Sequence, residues 1–267
     1  MLKTQVEIMG VLNVTPDSFF DGGQYTRIST AVDQALSMVK AGASIIDIGG
    51  ESTRPGAESV SLDEEMSRVI PVIEALRNQS DITISIDTSK PEVMTQAINA
   101  GANIINDVYA LQQPGALEAV AALNVPVCLM HMLGEPRSMQ KDPRYENVVS
   151  EVSVFLKDRV KDCINAGIKT ENIWLDPGFG FGKALGHNLS LLKHLCEFVK
   201  MGHPILVGMS RKSMLAGILN VKAEDRLVGS LALATIAIMN GASIVRVHDV
   251  SETAQIVKVC EAVMQAR

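Results

Sequence analysis

Eight short apolar stretches of this chain end in side chains that carry charge or make several hydrogen bonds. In order they are Asn13; Asp47 and Glu51; Asp87; Asn106; His131; Asp176; Ser210 with Lys212; and Arg246 with His248. They sort into two chemical sets. Asp87, Asn106, Asp176 and Lys212 supply acceptors, one amide that both donates and accepts, and a cation. A carboxylate can accept two N–H bonds from an amidine-like edge, so this set suits a flat nitrogen heterocycle. Thr53, Arg54, Arg246 and His248, with Asn13, supply donors that suit a pyrophosphate, and Asn13 can share in holding a magnesium ion. Alternation in IVRVHDV (244–250) turns Arg246 and His248 the same way, where buried cations lacking an anion would be costly. A salt-bridged strand end is the plainer account of that pair.

The stretch LDPGFGFGK (175–183) places an acid, three glycines, two phenylalanines and a lysine together. It has neither the GxxxxGK[ST] spacing nor GxGxxG, so a phosphate cradle is the weaker reading. The stronger one sets Asp176 at a strand tip while the glycines let the backbone fold close and present Phe179 or Phe181 to a ring. A flexible loop with core phenylalanines is the plainer alternative.

Groups so far apart in sequence need a scaffold that gathers them. The runs VEIMGVLNV (6–14), SIIDIGG (44–50), TISIDT (83–88), NIINDV (103–108), VPVCLMHM (125–132), IWLDPGF (173–179), PILVGMS (204–210) and SIVRVHDV (243–250) are nearly continuous in apolar character. Strands of a parallel sheet, buried on both faces, read this way. Between them lie helical segments. Ser61-Leu-Asp-Glu64 and Ser89-Lys-Pro-Glu92 are capping-box patterns, with Pro91 tolerated in a first turn. The glycines of AGA (41–43), AGAN (100–103) and NGAS (240–243) fall where a helix stops before a strand, and Pro71 is expected to kink the second helix. Eight strand-plus-helix units in 267 residues match one (β/α)8 TIM barrel domain spanning 1–267. An open doubly wound sheet would carry fewer strands and a glycine-rich fingerprint after the first, which here ends in Asn-Val-Thr-Pro-Asp. In a barrel all the polar tips share one rim.

Composition narrows the class. The chain is 47% hydrophobic and 20% charged with a net charge of −6, which argues against general affinity for nucleic acid or anionic membranes. The longest apolar passage, Leu227 to Met239, is interrupted by Gly229, Ser230 and Thr235 and falls short of the ~18–20 residues that span a bilayer. It reads as a buried helix. Cys128, Cys163, Cys196 and Cys260 form no CxxC pair and sit in apolar stretches, as reduced core cysteines do. No secretory signal is visible at the N-terminus, and cytoplasm is the expected compartment. His187, His194 and His203 are expected at the surface or at helix ends rather than in a metal cluster.

MGVLNVTPDSFFDGG (9–23), DIGGESTRPGA (47–57), SIDTSKPEV (85–93), NDV (106–108), LDPGFGFGK, VGMSRKS (207–213) and VRVHDV (245–250) together closely resemble the bacterial dihydropteroate synthases, a pterin-binding TIM-barrel family. The resemblance covers nearly the whole chain. It implies condensation of 6-hydroxymethyl-7,8-dihydropterin pyrophosphate with p-aminobenzoate, a transferase step of folate biosynthesis that requires Mg2+. By position it puts the pterin on Asp87, Asn106, Asp176 and Lys212, walled by Val108, Met130, Phe181 and Gly208. The pyrophosphate falls on Asn13, Thr53, Arg54, Arg246 and His248, with Asn13 toward the metal. The p-aminobenzoate falls on Phe19, Arg54, Pro55, Ser210 and Lys212. Asp87, Arg54, Lys212, Arg246 and His248 are the expected catalytic set, and Asp21 is a further candidate near the metal. Segments 14–27 and 51–60 correspond to the family's closing loops. Phe20 stands where the family commonly has serine, which bears on loop packing rather than on the reaction.

Three rivals are open at this point. A pterin-binding methyltransferase barrel would not need Thr53, Arg54, Arg246 and His248 gathered for a diphosphate. A Schiff-base aldolase would need Lys212 in apolar surroundings. An inactive pterin-binding protein would have no reason to keep both arginines and His248. A homodimer through the last helices is expected, because the apolar face of 227–239 exceeds what one barrel helix buries, and the family resemblance agrees.

Overall fold

Runs of Val and Ile without polar alternation fold here as strands covered on both faces. In the computed structural model, which describes residues 5–15, 24–52, 56 and 59–266, they are β1 (Glu7–Asn13), β2 (Ile45–Gly49), β3 (Thr83–Asp87), β4 (Ile104–Asp107), β5 (Val127–Met130), β6 (Ile173–Asp176), β7 (Leu206–Val207) and β8 (Ile244–Val247). Every strand is shorter than its apolar run, and Asn13, Asp87, Asn106, Asp176 and Arg246 stay within the ladder. All pairings are parallel, in the order β6-β5-β4-β3-β2-β1-β8-β7. The ends meet through a bridge between Leu175 and Ile205, where Leu175 N donates to Pro204 O at 2.9 Å. The sheet thus closes into the expected barrel.

Around it run α1 (Gln24–Ala41), α2 (Leu62–Arg77), α3 (Pro91–Asn99), α4 (Ala116–Leu123), α5 (Val148–Asn165), α6 (Leu185–Lys193), α7 (Leu195–Val199), α8 (Met214–Leu219), α9 (Leu227–Met239) and α10 (Val250–Gln265). The sixth and seventh units carry two helices each. α2 starts where Ser61 Oγ accepts from Glu64 N, and it buries Val69, Val72, Ile73 and Leu76 on one face. Such a cap contributes ~1 kcal/mol. The helix continues through Pro71. The second expected capping box does not form: Lys90, not Ser89, precedes α3, and Pro91 at its first turn starts the helix without a side-chain cap. Gly42, Gly101 and Gly241 all take positive φ (112°, 114° and 98°). After each, the next amide reaches back to close the helix end: Ala43 N to Met38 O, Ala102 N to Ala97 O and Ala242 N to Ala237 O, at 2.9–3.0 Å. These glycines turn the chain directly into β2, β4 and β8.

Two apolar bodies result. The larger fills the space between sheet and helices; the smaller, Met9, Ile45, Ile104, Cys128, Leu206 and Ile244 with Trp174, plugs the barrel's interior. Cys128, Cys163 and Cys260 are buried as expected, but Cys196 is exposed, since α7 is short and shows that face to solvent. α9 buries Leu233, Ala237 and Ile238 yet leaves Val228 76% exposed, with Ile236 and Met239 also outward, so it is only half covered. Among the described residues no helix is long and apolar enough to cross a membrane.

Candidate active site

Side chains two residues apart on a strand face the same side. Two positions beyond the plug residues Ile45, Ile104, Cys128, Trp174, Leu206 and Ile244 lie Asp47, Asn106, Met130, Asp176, Gly208 and Arg246. The apolar plug therefore becomes the floor of a polar layer at the strands' C-terminal ends. Arg246 holds it together. Its Nε donates to Asp47 Oδ2 at 2.6 Å and its Nη2 to Asp87 Oδ2 at 2.7 Å, while Asn106 Nδ2 donates to the same Asp47 oxygen at 3.2 Å. The plainer account, a salt-bridged strand end, thus holds for Arg246, because β2 and β3 bring two carboxylates to one guanidinium. Asp47 Oδ1 and Ser85 Oγ are buried without a protein partner beside this network.

Arg246 serves two acids here, and burial weighs on Asp87 and Asp176. Burial pushes Asp87 up to about 7, against Arg246 and with help from Asp47. Asp176 is raised by burial too, opposed by Lys212, the Gly178 amide, Lys183 and Arg246. Lys212 falls to about 8 through burial, with Asp176 resisting. Burial also works against the charge of Arg246, but Asp47 and Asp87 hold the guanidinium above its ordinary value.

The loop after β6 folds tightly over this layer. Asp176 Oδ1 accepts from Gly178 N at 2.7 Å. Phe179 is buried in the main core, which removes it as a ring-presenting residue. Phe181 is half-buried at the site, with Lys212 Nζ 4.4 Å from its ring centroid, and that lysine also donates to Phe179 O. Val108 and Met130 are buried at the tips of β4 and β5. A Cβ on Gly208 would stand 3.7 Å from that of Arg246, so glycine keeps this wall open.

The remaining tips line the neighbouring part of the rim. Ser210 Oγ accepts from His248 N at 3.2 Å and lies 3.1 Å from its Nδ1, so this serine orients the histidine. Arg211 takes φ +57°, held by Asp249 through Nε at 2.9 Å and Nη2 at 2.5 Å, which ties the turn carrying Lys212 to the end of β8. Asn13 ends β1, half-buried. Phe19, Asp21, Thr53, Arg54 and Pro55 lie outside the described residues. A cleft of about 220 Å³ opens beside the cluster, between Glu51, Glu65, Asp87, Val108 and Arg137; it meets the pterin set only at Asp87 and Val108.

Comparison with known proteins decides what this rim belongs to. The family described as pterin binding enzyme matches residues 9–248. The chain belongs to the pterin binding enzyme family. A dihydropteroate synthase of Escherichia coli K12 is 55% identical over 260 residues, covering 97% of this chain and 92% of that protein. The Yersinia pestis dihydropteroate synthase, solved with a sulfonamide drug, superposes with a TM-score of 0.94 at 51% identity, covering 98% of this chain and 96% of that one. That of Xanthomonas albilineans, solved with 4-aminobenzoic acid, superposes at 0.93 with 47% identity and covers 98% and 94%.

Residues that hold the acid, amide and lysine set in place were less legible in the sequence. Asp47 was visible as a strand tip, yet nothing in spacing alone showed that it shares Arg246 with Asp87. Lys183 closes the quoted GFGFGK stretch and is almost fully buried, hydrogen-bonded to His131. Lys90 bridges Glu51 and the buried Glu65 behind Asp87, a link between three segments that no local pattern reveals. The three other histidines sit as expected: His187 accepts from Ala184 N, His194 ends α6, and His203 Nδ1 lies 3.1 Å from Ile173 O.

Proposed function

We infer that this chain catalyses the dihydropteroate synthase reaction: 6-hydroxymethyl-7,8-dihydropterin pyrophosphate and p-aminobenzoate give 7,8-dihydropteroate and pyrophosphate, in folate biosynthesis. The carrying observation is the shared rim, where Asp87, Asn106, Asp176 and Lys212 face inward beside Arg246, in a chain more than half identical to a dihydropteroate synthase. Pyrophosphate released on mixing the two substrates tests it, and no release with either omitted is the required control. A pterin methyltransferase would release none. A Schiff-base aldolase has less support: although burial lowers Lys212, its ammonium is held by the Phe179 carbonyl and faces Asp176.

The reaction replaces the C–O bond of the pterin's exocyclic methylene with a C–N bond to the arylamine. Asp176 and Asn106 orient the ring's N–H edge, with Lys212 and Phe181 beside it. As the C–O bond breaks, the dihydropterin delocalises the positive charge left on the methylene, and Asp87 and Asp176 stabilise that cation. Arg246, His248 and Arg54 receive the charge developing on pyrophosphate, which is electrostatic preorganisation. Phe19, Pro55 and Ser210 flank the amine's ring, and the amine loses its proton after the bond forms.

Mg2+ commonly rests on one or two protein oxygens plus substrate phosphates, and the Asn13 side chain at the end of β1 offers one such oxygen. Asn13 would hold it, with Asp21 a further ligand, and the ion would neutralise the leaving group. The chain acts in the cytoplasm as a homodimer, with the outward residues of α9 and α10 against a second copy; Val259 and Val263 on α10 are exposed, as are Val228 and Ile236 on α9, the helix packed beside it.

A further inference from the structure

The GFGFG segment looks flexible in sequence, yet its carbonyls are taken up one after another. Phe179 O accepts from Lys212, Gly180 O from Gln140 Nε2, Phe181 O from Lys183 Nζ at 3.0 Å, and Gly182 O from the Tyr145 hydroxyl at 2.8 Å. Gly180 N donates to Asn188 Oδ1 at 2.7 Å. The loop's closest approach is to His131, at the end of β5: a Cβ on Gly178 would land on the His131 carbonyl oxygen. Lys183 Nζ bonds that same carbonyl at 3.3 Å and lies 2.9 Å from His131 Nδ1.

Lys183 is only 3% exposed, and no bulk water solvates its amine. Three acceptors surround Nζ, matching the three N–H bonds of an ammonium. Burial lowers Lys183 to about 7, with Asp176 resisting, so on the acid side of neutrality its amine is an ammonium without a lone pair, His131 Nδ1 accepts and the ring proton sits on Nε2. The imidazole packs edge-on to Phe155, with ring centroids 4.9 Å apart, and burial keeps it neutral, its pKa lowered to about 3. A buried cation fixed this way is expensive to retain unless it does something beyond filling space.

We propose that Lys183, seated on His131 and seconded by Tyr145, is a positioning residue of the pterin site. It pins the 178–182 loop so that Phe181 and Asp176 face Lys212 before substrate arrives, and its charge supports Asp176 as an ionised acceptor. The inference rests on the dihydropteroate synthase reading. Asp176 is also faced by Lys212 from the turn after β7, Arg246 from β8 and Cys128 from β5. Lys183 is the charge among these that has no substrate atom to meet.

Calorimetric titration of the unmodified protein with a dihydropterin lacking the pyrophosphate, across pH, sets the reference. Lys183→Met is expected to weaken that binding roughly tenfold, the scale of losing one charge-assisted hydrogen bond. It should also move the acid limb of binding to higher pH, because Asp176 loses a neighbouring cation. Tyr145→Phe, which removes only the hydroxyl, is expected to weaken binding about threefold with the acid limb unmoved. A purely structural lysine would lower the melting temperature and leave both pterin affinity and the acid limb where they are; that result overturns the proposal. If Lys183→Met does not fold, Tyr145→Phe decides, and unchanged affinity there overturns it too. Failure of the unmodified protein to bind pterin sinks the functional reading instead.

Discussion

Arg246 and Asp176 do different work at one rim, and substitution should separate them. Asp176 Oδ1 accepts from the Gly178 amide, and in the proposed site this carboxylate meets the ring edge, so Asp176→Asn should weaken binding of the bare pterin about thirtyfold. Arg246→Ala removes the charge that meets pyrophosphate and should lower turnover about a hundredfold or more. Because Arg246 also pairs with Asp87, it should cost some ring affinity, but less than Asp176→Asn does. Equal losses of ring affinity in both variants would count against this division. Asp87 itself carries a pH signature. Its carboxyl titrates at 3.8 unperturbed and at about 7 in the folded chain. Between those values the folded state holds the extra proton, so this carboxyl's contribution to stability falls as pH rises through that window. Asp87→Asn should remove that falling contribution and tilt the slope toward rising stability, since Asp107, raised to about 6 by burial, keeps the same sign while His131, lowered to about 3, opposes it across most of the window. Urea midpoints of both proteins across the window measure this.

At the scale of elements, the loop after β6 shows how two neighbouring glycines differ. Gly178 has φ +72° and faces backbone of β5's end, which cannot yield. Gly178→Ala should therefore destabilise the fold by about 2 kcal/mol or more by urea unfolding. Gly180 has φ +80°, but a Cβ there meets Lys212 Cδ at 3.0 Å, the movable part of a long side chain. Gly180→Ala should show a smaller stability loss and a larger loss of pterin affinity, as Lys212 is displaced. Strands and helix stops were legible in sequence because period, caps and glycine act over a few residues. That Asp87, Asn106, Asp176 and Lys212 share one rim was legible because strand ends of a barrel must converge. The clamp on this loop was not: Tyr145, His131 and Asn188 come from three segments, and their meeting depends on how β5 and β6 pack. Phe179 and Phe181 look alike in GFGFG, and only the fold decides that one joins the core and the other the site.

For the whole molecule, the homodimer proposed above would form through the outward apolar residues of α9 and α10. Val228 and Ile236, 76% and 46% exposed, belong to a face too apolar for a lone surface helix pair. Replacing both with glutamate should yield a monomer by sedimentation velocity while pterin binding persists, since neither touches the polar layer. A dimer unaffected by the double change would move the interface elsewhere.

The barrel is unevenly hooped. β1 and β2 share five registered residue pairs, but β7 offers two to β8, and between β6 and β7 only the Leu175–Ile205 bridge spans the gap. The thin stave lies between Asp176 and Lys212, two groups of the proposed pterin site. Ligand would thus act as the missing hoop. In deuterium exchange, amides of Leu175 and Val207 should label early in the empty protein and slowly once pterin is bound, while those of β2 stay protected throughout. Equal protection at both places would mean the wall is closed before anything enters it.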